Sequence, residues 1–243
     1  MISIETRAVA AMLAAAVLAG PALAGPLVVR ALGPSAAAFK PGQRLPDNAP
    51  LVLRAGDQVT ILDARGTRSF TGPGNYRFDS ASSAAAPTAF TELLTQKSER
   101  RARIGAVRGS GGAVSGKPVP PGVWAIDAGT SGTVCALDPA AISLWRADPT
   151  KPAMLTLARG NVSAPVAFAA GQAVAAWPAG LPVGAGGDYR ITGGAAPVAL
   201  KVRTLATRPA SVDALGAALI ETGCQSQFDR LVTVTRVPDA PAP

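Results

Sequence analysis

Catalysis and metal binding need side chains that move protons, attack as nucleophiles or hold cations, and this chain of 243 residues is poor in them. It contains no histidine. That removes Ser-His-Asp and Cys-His constellations, histidine-ligated zinc and the commonest general base. No lysine follows a serine at the S-x-x-K spacing of lysine-activated serines. What remains is carboxylate chemistry. A glycosidase needs two positioned acids, for which Asp127, Asp138, Asp188 and Glu221 are candidates, but all four fall at expected strand ends or on an expected helix, where capping or solubility explains them. Asp57 and Asp63 flank one expected strand and could share a calcium ion through oxygen ligands. The dense D-x-D-x-D-G spacing of a calcium loop is missing, and both aspartates suit turns. The expectation is a protein without catalytic, cofactor-binding or metal-ligating residues.

The densest charge run is Lys97, Arg100, Arg101, Arg103 and Arg108, with Glu99 the single acid inside it. Its functional reading is an electrostatic docking strip for an acidic partner or anionic headgroups. Its bland reading is a solvated helix face beside a linker. Net charge is +8, which favours acidic partners. Nucleic acid is not among them, because no recognition motif or aromatic stacking platform accompanies the charge.

The compartment follows from the first 24 residues, "MISIETRAVAAMLAAAVLAGPALA". A short polar start with Arg7, an apolar run from Ala8 to Leu18, a Gly20-Pro21 break and a small-x-small Ala22-Leu23-Ala24 form the layout of a signal peptide cleaved after Ala24. The apolar run is about 11 residues, short of the roughly 20 that span a bilayer as a helix. The expected product is a soluble periplasmic chain beginning at Gly25. In that oxidising setting the only two cysteines, Cys135 and Cys224, are expected to pair.

Twenty-six glycines and 22 prolines, few aromatics and much Ala and Val point to a mainly β fold. Residues 25–85 read as a small β-meander or barrel-like module. Its strands are "PLVVRAL", "LVLRAGD", "QVTILD" and "TRSFTG". Val59 and Ile61 alternate against Gln58, Thr60 and Leu62. Asp63-Ala64-Arg65-Gly66 is expected to make a hairpin, and Pro73-Gly74 the centre of a type II turn, with Tyr76 and Phe78 on one face of the strand behind it. Residues 86–121 read as a basic helix, capped by Thr88 and carrying Phe90, Leu93, Leu94 and Ile104, then a Gly/Ser/Pro linker. Residues 122–237 read as eight short strands in a β-sandwich with one packed C-terminal helix. Trp124, Trp145 and Trp177 are expected core anchors, with sugar stacking as the alternative for one of them. The helix starts at Ser211 and carries Val212, Leu215, Leu219, Cys224, Phe228 and Leu231 as one stripe, with Gly223 inside it. Residues 238–243 form a disordered tail.

The order L-x-x-G-D-x-x-x-x-L-D-x-x-G-x-R, from Leu53 to Arg68, followed by the Gly72-Pro73-Gly74 turn, resembles the small β domain of FecR-like periplasmic proteins. The likeness covers Pro26 to Phe78 and consists mostly of turn chemistry. It implies surface binding or signal relay in place of catalysis. The chain departs from that family plan in having a cleavable export signal where the family has a cytoplasmic tail and a transmembrane helix, so the resemblance implies binding more than relay across a membrane. The resulting expectation is a non-catalytic exported binding or envelope-scaffold protein whose partner is an envelope protein or an anionic glycan. The alternatives are a carboxylate-based carbohydrate-active enzyme with a tryptophan platform, and an assembly factor in peripheral contact with an anionic membrane through the basic strip.

Overall fold

The computed structural model describes residues 25–46, 50–78, 87–95, 118–184 and 186–237. The fold is mainly β. In the N-terminal part, β1 (Leu27–Leu32), β3 (Gln58–Asp63) and β4 (Gly66–Thr71) form one antiparallel sheet in the order β1-β3-β4. β2 (Leu51–Leu53) pairs separately with β5 (Gly74–Tyr76). Only β3 and β4 therefore follow meander order, and among the described residues these sheets close no barrel. The hairpin forms over Ala64-Arg65, with Asp63 opposite Gly66. The side chain of Asp63 accepts the Arg65 N–H at 2.9 Å and pairs with Arg68.

The expected type II turn at Pro73-Gly74 is not made. That turn needs a positive φ at Gly74, but Gly74 is a residue of β5 paired with Leu53 of β2 and does not adopt one. At Gly72 a Cβ would lie 2.0 Å from the Arg54 carbonyl oxygen, so the close passage of two backbones requires glycine there.

Alternation in β3 places apolar groups on both faces. Val59 and Ile61 join Val28, Leu51, Leu53 and Phe78 in a small core of their own. Tyr76 packs against that core, but β5 ends there, so Phe78 joins the core from beyond the strand and not from its face. Leu62 points the other way, into a second core with Leu27 and the C-terminal helices.

All eight expected strands of the second half are present. A five-stranded sheet runs β10-β9-β12-β13-β7 and faces a three-stranded sheet β11-β8-β6. Their ranges are β6 Ala125–Asp127, β7 Gly132–Ala136, β8 Ser143–Trp145, β9 Ala153–Arg159, β10 Val162–Phe168, β11 Val174–Ala176, β12 Gly187–Thr192 and β13 Val198–Thr204. Inward residues such as Leu144, Leu157, Ile191 and Val202 fill the space between the sheets. Trp145 is buried, and Trp124 is buried with its Nε1–H donated to the Leu93 carbonyl at 2.9 Å. Trp177 is half-buried and donates to the Leu181 carbonyl at 2.7 Å. Leu93 and Leu94 come from α1 (Pro87–Thr95) and reach the same core as Trp124.

The single long C-terminal helix is in fact two, α2 (Val212–Glu221) and α3 (Gln225–Val234). Gly223 is the reason. It adopts φ +80° just past the end of α2, its N–H bonds the Ile220 carbonyl, and the Cys224 N–H bonds the Leu219 carbonyl at 2.7 Å. These two bonds are a Schellman ending, which terminates a helix through a left-handed glycine. Ser211 caps α2 as expected, accepting the Ala214 N–H. Both helices lie in one layer, with β1 and β3 on one side and β7 on the other. Among the described residues no helix is long and apolar enough to cross a membrane.

Candidate functional site

Cys135 and Cys224 are disulfide-bonded, with Cα atoms 5.8 Å apart and both residues buried. The bridge joins β7 to the residue that begins α3. Beside it lies Gln227, 4 % exposed, on the first turn of α3. Its Oε1 accepts the Cys135 N–H, while its Nε2 donates to the carbonyls of Cys135 at 2.9 Å and Val123 at 3.0 Å. A side-chain amide thus stands where a neighbouring strand would be.

Next to these contacts a groove of about 510 Å3 opens between β6, β7 and α3. That volume is in the range of ligand sites. Its floor includes Ile126 and Val134, which also belong to the core between the sheets, so the groove reaches the sandwich interior. Neutral polar groups, among them Thr130, Thr133, Ser226 and Thr233, line the rest. Among the described residues both strands that border it end their sheets, and an end strand leaves every second residue without a ladder partner.

Among the described residues three charges line the groove. Asp127, one of the four acids singled out by the sequence, is held by its own turn, accepting the Gly129 N–H and the Thr130 hydroxyl, each at 2.8 Å. Asp229 accepts from Gln225 Nε2 at 2.8 Å. Arg230 donates through Nη2 to the Pro121 carbonyl at 3.2 Å, and its buried Nε has no partner among the described residues. Burial holds its guanidinium below the ordinary arginine range.

The remaining sequence candidates are scattered. Asp138 caps a short 3-10 turn, accepting the Ala140 N–H, Asp188 lies on β12 opposite Lys201, and Glu221 ends α2. Asp57 is buried and accepts the N–H groups of Ser35 at 2.8 Å and Arg54 at 2.7 Å. The Ser35 bond is the main reason its carboxyl sits below the usual aspartate range, against the opposing effect of desolvation. The shared calcium site with Asp63 fails on distance. Asp57 precedes β3 and Asp63 ends it, and six residue steps of extended chain put the two on the order of 20 Å apart. Lys97, Arg100, Arg101, Arg103 and Arg108 lie outside the described residues, as do the signal segment and residues 238–243.

Thr133, Gln227, Asp229 and Arg230 were not found from sequence. Their importance depends on which strand pairs with β7 and where α3 begins, and neither leaves a local pattern. The assembly is a two-sheet sandwich with a helical layer joining it to a smaller β unit. Beyond that class, no family model, no curated protein and no solved structure matches this chain.

Proposed function

We propose that the protein is a non-catalytic, exported binding protein of the cell envelope, and that the groove between β6, β7 and α3 receives a protein partner. The carrying observation is the groove itself, which combines an apolar floor continuous with the core, a neutral polar rim and walls that are fixed by the Cys135–Cys224 bond and Gln227. A pre-formed concave site with few convergent polar groups is the usual form of a recognition site. Periplasmic location is supported by the signal-peptide layout of residues 1–24 and by a disulfide that a reducing cytosol would not maintain. The FecR-like turn order of the N-terminal unit agrees with a binding role.

A second reading, carboxylate chemistry on a glycan, rests on Asp127 and Asp229 lining one groove. A small aliphatic diazirine residue placed at Ser226, which leaves the groove open, is expected to form an adduct with an envelope protein in living cells. The same residue at Arg190, on the exposed face of β12, is expected to form none. Equal labelling from both positions would end the groove assignment. Release of reducing sugar from cell-wall material by the wild type and not by Asp127→Asn would replace binding with catalysis.

A further inference from the structure

β7 pairs in parallel with β13, and among the described residues no strand lies on its other side. The Leu205 N–H bonds the Ala136 carbonyl, so Gly132, Val134 and Ala136 direct their backbone groups to β13, while Thr133 and Cys135 direct theirs away. Gln227 takes both groups of Cys135. Thr133 has no such substitute. Its N–H and C=O make no bond to another described residue, and they border the groove.

Across the groove β6 shows the same parity. Bonds at the Trp124 carbonyl and the Ala128 N–H fix its even-numbered residues toward β8, which turns the Ala125 carbonyl and the Asp127 N–H outward.

Building on the binding role of the groove, we propose that it takes an extended polypeptide segment of a partner protein, added as a strand to β7 at Thr133 and stopped at Cys135 by Gln227. A strand satisfies the N–H and C=O of Thr133 together, which a helix cannot do because its own backbone groups are paired internally. Alternate side chains of such a strand point to one face, so an apolar residue at every second position enters the slot over Ile126 and Val134. Charge narrows the occupant further. Among the described lining residues two carboxylates stand against one guanidinium, a net negative lining on a protein of net charge +8. The segment is therefore neutral or basic, not acidic.

The test uses random dodecapeptides displayed on phage, selected on the purified exported protein and counter-selected on Ser226→Trp, whose indole fills the groove. Enriched sequences should alternate apolar residues with period two and contain Lys or Arg in preference to Asp or Glu. An enriched peptide should slow hydrogen exchange of the Thr133 amide at least about tenfold, a protection expected when an exposed N–H enters a ladder. Thr133→Val, which keeps the backbone, should bind as wild type, and Thr133→Pro, which removes the N–H, should lose binding. Enriched sequences without alternation, an unprotected Thr133 amide, or binding unaffected by Thr133→Pro would each overturn strand addition. If the cellular adduct at Ser226 forms regardless of Thr133→Pro, groove binding stands and the strand does not. If peptides add at Thr133 but no cellular adduct forms, the strand stands and the envelope role fails.

Discussion

Gly216 tests the junction between the N-terminal sheet and the helical layer. It lies in the interior of α2, where replacing glycine by alanine ordinarily stabilises by about 1 kcal/mol. Here the added Cβ would meet Leu62 Cδ2 at 2.5 Å, with Leu27 Cδ2 and Phe228 Cε2 both at 3.4 Å. Carbon atoms prefer roughly 3.5–4.0 Å, so the overlap with Leu62 is about 1 Å. Leu62 and Leu27 are 0 % and 1 % exposed and cannot step aside into solvent. Overpacking of this kind costs about 1–3 kcal/mol. Set against the helical gain, Gly216→Ala should lose about 1 kcal/mol. Leu62→Ala alone should cost about 2–5 kcal/mol through the cavity it leaves. In that background the clash is gone and Gly216→Ala should instead stabilise by about 1 kcal/mol, so the coupling between the two sites is about 2 kcal/mol. Urea unfolding of the four proteins, followed by tryptophan fluorescence with the disulfide intact, measures the cycle. A stabilising Gly216→Ala in both backgrounds would refute the packing of α2 against β3.

Three further outcomes are expected. Removing the disulfide with Cys135→Ala and Cys224→Ala opens a loop with a sequence separation of 89, and the chain-entropy relation puts the loss at about 4–5 kcal/mol, read as a drop in the urea midpoint. The lowered carboxyl of Asp57 contributes stability that is present above its unfolded value near 3.8 and disappears as pH falls through the lower folded value. The stability difference between wild type and Asp57→Asn should therefore be full at neutral pH and shrink below about pH 4. Gln227→Glu keeps an acceptor for the Cys135 N–H but sets a carboxylate against the carbonyls of Cys135 and Val123. Folding then favours the protonated acid, so this variant should gain stability relative to wild type as pH falls from about 8 to about 5, and a flat difference across that range would contradict the amide's role.

Much of the fold was legible in the sequence because its apolar pattern and its turn chemistry agree. The eight strands of the second half are each bounded by Gly, Pro or Asp, and the stripe from Val212 to Leu231 is buried at every position named. The helix break was missed for the same reason the stripe was found. α2 and α3 cover one continuous surface, so their apolar spacing runs through Gly223 without interruption, and only the glycine itself signals the stop. β2 was placed among its sequence neighbours because local pattern does not specify pairing. The pattern places Leu62 on the face opposite Val59 and Ile61 but does not say what covers it, because Gly216 and Phe228 of the same core lie more than 150 residues away. The groove was even less visible. Asp127 was noticed for its acid, yet its carboxylate serves a turn, and the group that matters most, the backbone of Thr133, has no side-chain signature at all.

The groove and the helical layer have one origin. The face of β3 that carries Leu62 and the outer face of β7 that carries Cys135 are both apolar, and neither is covered by the sheet it belongs to. Burying such surface is worth about 25 cal/mol per Å2, which is the force that draws α2 and α3 between them. α3 is the element that packs on β7, and its start is set by Gly223, whose ending of α2 delivers Cys224 to Cys135. α3 does not cover the whole β7 edge. Gln227 closes the edge at Cys135 and Thr133 stays open. The residues that hold the helices in place are therefore the ones that leave one rung of a sheet unfinished, and a rigid, unfinished rung beside an apolar slot is what a partner strand can complete.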